Sequence, residues 1–166
     1  MRLPPDADHL RESLDPHLDL LAVRLGIVGP YLHEGNLHAR LQMLFQADLG
    51  KQTPEQVRAT FWKSGDDVEP EVRGFAEDLF RSAIAHQEQI DELIVANSRH
   101  WRLERMPAVD RNLLRMAVGE MLGFKGTPFP IVINEALEIG RRYSAPESIN
   151  FLNGMLDSIA RSLLPK

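Results

Sequence analysis

The stretch Met106-Pro107-Ala108-Val109-Asp110-Arg111-Asn112-Leu113-Leu114-Arg115-Met116-Ala117-Val118-Gly119-Glu120-Met121-Leu122 carries apolar side chains at Val109, Leu113, Leu114, Ala117, Val118, Met121 and Leu122. Steps of three and four residues return a side chain to one side of an α-helix, so this spacing predicts an amphipathic helix opening just after Pro107. The same pattern continues downstream. Pro130 opens a segment with Val132, Ile133, Ala136, Leu137 and Ile139, closed by Tyr143-Ser144-Ala145-Pro146. Ser144 or Ala145 is placed to cap a last helix with Ile149, Leu152, Leu156, Ile159 and Leu163.

Upstream, Leu37, Leu41, Leu44, Phe45 and Leu49 mark another helical face, with Gly50 at the expected stop. Thr53-Pro54-Glu55-Gln56 reads as an N-cap, a proline in the first turn and a reciprocal partner at the third position. That short helix is expected to end near Ser64-Gly65, followed by an acidic loop from Asp66 to Glu69. Between Pro70 and Ser98 the apolar phase changes around His86-Gln87, which predicts either a bend or two abutting helices. Lys125-Gly126-Thr127-Pro128 reads as a turn. Residues 1–30 carry a stripe of Leu10, Leu14, Leu18, Leu21 and Leu25, interrupted by Pro16 and closed by Gly29-Pro30. Two readings of this leader are open: an appended helix from near Pro16, or a partly disordered segment.

No stretch alternates with period two for long enough to make a strand, so the expected fold is all-α. The expected organisation is an extension over residues 1–30 and one domain over 31–166. That domain divides into halves 31–100 and 101–166, with Trp101 and Leu103 anchoring the junction.

The chain has 166 residues, 43% of them apolar, enough to bury a core without staples. Cysteine is absent, which excludes disulfides, thiolate metal sites and a cysteine nucleophile. No apolar run reaches the length of a membrane span, and Met1-Arg2-Leu3-Pro4-Pro5-Asp6 lacks a signal-peptide profile. A cytoplasmic protein is expected. The net charge of −5 is unevenly spread. Residues 31–100 carry seven basic and twelve acidic side chains, whereas 101–166 carry nine and seven. Phosphate backbones are held by Lys and Arg, so any contact with nucleic acid belongs to a local patch in the C-terminal third.

Catalytic motifs are missing: there is no HExxH, P-loop, GxSxG or dinucleotide glycine fingerprint. The six histidines are scattered, and His33 and His38, five apart, fall on different helical faces. No metal or cofactor is expected. Glu135 and Glu138 sit one turn apart, which usually marks a solvated face.

Three segments carry a likeness. Leu103 to Leu122, entered through Trp101-Arg102-Leu103-Glu104-Arg105, is one. The others are Ile133-Asn134-Glu135-Ala136-Leu137-Glu138-Ile139 and Asn150-Phe151-Leu152-Asn153-Gly154-Met155-Leu156-Asp157. With Ala39-Arg40-Leu41-Gln42-Met43-Leu44-Phe45-Gln46, they make residues 36–164 resemble the NusB family of transcription antitermination factors. The resemblance implies two packed three-helix bundles, here with an extra N-terminal helix, and no enzymatic activity. It also implies binding of boxA-type single-stranded RNA together with the ribosomal protein NusE. RNA polymerase is then met indirectly, during read-through in ribosomal RNA operons. A homodimer or a protein-interaction module with weak or no RNA binding is the alternative.

On that resemblance Arg40, Gln42, Arg111, Arg115, Asn150 and Phe151 are the expected RNA-binding residues, and Asn134, Glu135 and Glu138 the expected partner-binding residues. Read as side chains alone, several keep two interpretations. Phe151 is either core or a platform for an unpaired base. Arg111 and Arg115, one turn apart, either grip phosphate or pair with Asp110, Glu104 or Glu120 as a solvated network. Asn134 and Glu135 either cap a neighbouring helix or meet a partner. Gly154, inside a helix, costs roughly 1 kcal/mol relative to alanine, which suggests close helix approach as compensation. The sequence departs from the family at His33-Glu34-Gly35-Asn36-Leu37-His38-Ala39-Arg40, where an arginine-rich run is typical and only Arg40 is firmly cationic.

Overall fold

The computed structural model describes residues 34–62, 68, 70–99, 101–123 and 127–165. The expected leader helix, most of the loop 66–69 and the turn at 125–126 lie outside the described residues. Every regular element described is helical. α1 spans Glu34–Gly50, α2 Pro54–Phe61, α3 Pro70–Ala85, α4 Gln87–Asn97, α5 Ala108–Gly123, α6 Phe129–Tyr143 and α7 Pro146–Leu163, with a 3-10 turn at Leu103–Arg105.

Local chemistry sets several boundaries. The Thr53 hydroxyl accepts from the Gln56 backbone N–H at 3.3 Å, and the Gln56 carboxamide accepts from the Thr53 N–H at 2.9 Å, completing the capping box. The phase change at His86 is a true break: α3 stops at Ala85 and α4 begins at Gln87. At the end of α1 the left-handed residue is Lys51, at φ 49°, rather than Gly50, which stays within the helix. Ala145 occupies the N-cap of α7 without a side-chain bond, while Ser144 ends α6.

α5 organises the fold. It packs against α1 and α3 on one side and against α4, α6 and α7 on the other. Residues 112–121 are therefore buried without interruption, as in a helix surrounded by neighbours. α1, α2 and α3 form one group, and α6 and α7 close on α5 from the other side, with α4 against α5 and α7. The core joins Met43, Phe80, Ile90, Ile94, Leu113, Leu114, Leu152, Leu156 and Ile159, all fully buried. Of the two side chains expected to anchor the segment before α5, Leu103 is buried, but Trp101 is 54% exposed.

Close helix approach occurs at Gly119 rather than Gly154. A Cβ at Gly119 would meet Ala83 Cβ at 3.2 Å and Ile90 Cδ1 at 3.3 Å, so the α5–α3 contact depends on its absence. Gly154 is exposed and a Cβ there meets nothing within 4 Å. Gly154→Ala is accordingly expected to raise the unfolding free energy by about 0.5–1 kcal/mol, because it lowers backbone entropy in the unfolded chain without a clash. Urea unfolding monitored by circular dichroism measures this, and a destabilised variant would overturn it.

Candidate functional site

Burying polar side chains on α5 demands partners, since an unpaired buried charge costs several kcal/mol. The first cluster is built on Asp48, near the end of α1. Arg111 donates to Asp48 Oδ2 through Nε at 2.9 Å and Nη2 at 2.6 Å, and Asn112 Nδ2 donates to the same oxygen at 3.0 Å. Arg111 Nη1 also donates to the carbonyls of Leu103 at 3.2 Å and Met106 at 3.3 Å. Arg115 forks onto Asp91 of α4, with Nε–Oδ1 at 2.8 Å and Nη2–Oδ2 at 2.9 Å, and lies 3.5 Å from Asp48. The cluster thus ties α1, α4, α5 and the 3-10 turn together. Burial alone pushes the Asp48 carboxyl up, but hydrogen bonds from Arg111 and Asn112 and the charges of Arg111 and Arg115 outweigh it. The net pKa lies below the ordinary aspartate value.

The second cluster lies among α1, α5 and α6. Arg40, 2% exposed, donates through Nη1 to Glu120 at 3.0 Å. Glu135, 8% exposed, shares this interior. Burial first, and then the neighbouring Glu120 charge, push its pKa up to about 8, with Arg40 opposing. Glu135 is therefore neutral at mildly acidic pH, and the expected solvated face of Glu135 and Glu138 is half wrong. Glu138 is partly exposed and pairs with Arg141, whereas Glu135 points inward. Asn134 is half-buried and makes no side-chain hydrogen bond among the described residues, so it caps no neighbouring helix there.

Arg111 and Arg115 likewise form neither a solvated network nor pairs with Asp110, Glu104 or Glu120. Their carboxylate partners come from α1 and α4. Spacing within one helix exposes only neighbours three and four residues away, so Asp48 and Asp91 were invisible as partners.

The third arrangement is on the surface. Gln42 and Asn150 are exposed, and Phe151 is partly buried, packed against the core. Its ring centroid lies 5.8 Å from that of Trp101, tilted by 51°. The Tyr143 hydroxyl lies 3.1 Å from His38 Nδ1, which links the first turns of α1 to the end of α6. Gln42 follows His38 by one turn on α1. The structure thus leaves Gln42 and Asn150 on the surface and Phe151 partly buried, and places Arg40, Arg111 and Arg115 inside the fold.

No helix among the described residues is long and apolar enough to cross a membrane, and no group of three or more His, Asp or Glu side chains there is arranged to hold a metal ion.

Known proteins share this fold. The model of the NusB family matches residues 38–161. The transcription antitermination protein NusB of Koribacter versatilis is 58% identical over 123 residues, covering 74% of this chain and 84% of that protein. The namesake of Anaeromyxobacter dehalogenans is 45% identical, covering 75% and 87%. Among solved structures, Thermotoga maritima NusB superposes with a TM-score of 0.72 at 32% identity, covering 78% and 91%. A structure of antitermination factors NusB and NusE in complex with dsRNA has the same fold, with a TM-score of 0.70 at 23% identity, covering 77% and 95%. These relatives bear the name of an antitermination factor rather than of an enzyme. With the helix order, the central α5 and these matches in agreement, the chain belongs to the NusB family.

Proposed function

We propose that this protein is a transcription antitermination adaptor that binds boxA-type single-stranded RNA together with NusE. It would thereby help RNA polymerase read through terminators in ribosomal RNA operons. Membership of the family and the name shared by its relatives support the role. The observation that carries the RNA reading is the aromatic pair of partly buried Phe151 and exposed Trp101, with exposed Asn150 next to Phe151 in the chain. An unpaired base stacks on such a ring while polar side chains meet its edge.

The three arginines act differently under this reading. Arg40, Arg111 and Arg115 are each already matched by a carboxylate. They position α1 and α5 beneath the strand rather than supply its main phosphate contacts. With the usual arginine-rich run absent, affinity for RNA alone is weak and rises when NusE adds contacts of its own. Asn134 and Glu138 are the accessible partner-facing candidates on α6, with Glu135 behind them.

Fluorescence anisotropy with boxA-like and scrambled RNA, with and without NusE, tests this reading. A preference for boxA that strengthens with NusE is expected. No preference under either condition overturns the adaptor role and favours the alternative, a protein-interaction module or homodimer that has given up RNA.

A further inference from the structure

We infer that Trp101, together with Arg99, Arg102 and Arg105, forms a second grip on single-stranded RNA that continues the Phe151 surface across the junction between α4 and α5. The inference rests on the RNA reading above and goes beyond it by naming the surface that replaces the missing arginine-rich run.

Tryptophan is among the side chains that gain most from burial, and an exposed one needs a reason. Trp101 is 54% exposed although its segment is well anchored. The Ser98 hydroxyl donates to the Trp101 carbonyl at 2.6 Å, and the Ser98 N–H donates to the Val95 carbonyl at 3.2 Å. Leu103 and Met106 are buried just beyond it. The indole is therefore presented by a fixed backbone, 5.8 Å from Phe151 by ring centroids. Two aromatic rings that close, neither fully covered, offer adjacent faces for adjacent bases.

Charge on the same segment complements a phosphate backbone. Arg99, Arg102 and Arg105 are exposed, and none of them forms an ion pair or side-chain hydrogen bond among the described residues. Only one carboxylate, Glu104, interrupts them over residues 99–105. The Arg105 N–H donates to the Arg102 carbonyl at 3.0 Å, closing the 3-10 turn. That turn holds Arg102, its N-cap, and Arg105, its last residue, close together on one short segment. The contrast with Arg40, Arg111 and Arg115 is direct: those guanidinium groups are neutralised inside the fold, while these are open to solvent. An open arginine binds phosphate by releasing counterions, without first breaking an internal pair. A protein segment of acidic character is the competing occupant, but it would not explain two neighbouring aromatic faces.

The test uses the full chain and a single-stranded boxA-like RNA of about a dozen nucleotides, with the matching duplex as control and NusE added in a parallel series. Trp62 and Trp101 are the two tryptophans, so emission of the unaltered protein is compared with that of the Trp101→Phe variant. Quenching by the single strand, absent in the variant and weaker with duplex, is the expected result. Trp101→Ala should weaken binding by about 5- to 100-fold. The double variant Arg102→Gln with Arg105→Gln should reduce the slope of log affinity against log salt by about 1.4, two single-strand phosphate contacts at about 0.7 each. RNA bound with normal affinity while Trp101 emission and the salt slope stay unchanged overturns this inference and leaves the RNA reading standing. Absence of binding with and without NusE removes both.

Discussion

Replacing Asp48 by alanine should lower the unfolding free energy by about 3–5 kcal/mol, the range for removing one partner of a buried ion pair. The reason lies in what remains. Arg111 loses the carboxylate that takes its Nε and Nη2, and Asn112 Nδ2 loses the same oxygen as acceptor, keeping only the Ala108 carbonyl. Arg115 keeps Asp91, so the loss centres on Arg111, whose remaining partners are the carbonyls of Leu103 and Met106. A chain of this size should then melt about 6–20 °C lower. The contribution also depends on pH. The folded Asp48 pKa is depressed, so its stabilisation is complete above the unfolded value of 3.8 and fades as pH falls through the lowered folded value. The difference between the parent and Asp48→Ala should therefore be constant near neutrality and shrink below about pH 4. Thermal melts at pH 7 and pH 3 measure both parts. A loss below about 1 kcal/mol at pH 7 would mean that α1 is not held by this carboxylate.

Glu135→Gln should act in the opposite sense. Its folded pKa is raised to about 8 from an ordinary 4.5, by burial and by Glu120. Between these values the unfolded chain releases the proton while the folded protein retains it, so stability falls as pH rises across that window. Below about pH 4.5 the carboxyl is neutral in both states and costs nothing. Glutamine has nearly the same shape and never ionises. The variant should therefore match the parent near pH 4.5 and exceed it by on the order of a few kcal/mol at pH 8.5. Because Glu120 and Arg40 are present in both proteins, the difference curve isolates Glu135. Parallel stability curves from pH 4.5 to 8.5 would show that Glu135 is ionised throughout and paired in a way the Arg40–Glu120 geometry does not suggest.

These two clusters bear on how much of the molecule could be read in advance. Helix positions were legible because apolar spacing and turn chemistry are local. The stripe from Val109 to Leu122, the capping box at Thr53 and the break at His86 all depend on residues within one or two turns. The helix from Glu34 ends at Gly50 as its sequence implies, whereas Gly154 does not mark a close approach, because a glycine in a helix does not reveal whether a neighbour stands over it.

The surface was less legible than the scaffold. Phe151 has two readings in the sequence; the structure packs it against the core and beside Trp101, partly buried. Of Trp101 and Leu103, both read as anchors, only Leu103 is buried.

The sequence by itself determined that the protein is built from amphipathic helices and, through INEA and FxNGxLD spacing, the family to which it belongs. Only the tertiary structure decided which charges remain available. Asp48, Asp91 and Glu120 neutralise Arg111, Arg115 and Arg40 across separations of 24 to 80 residues. Arg99, Arg102 and Arg105, equally cationic in the sequence, meet no such carboxylate among the described residues. The physical reason is that a charge is cancelled by what lies within about 4 Å in space, and chain position does not report that distance.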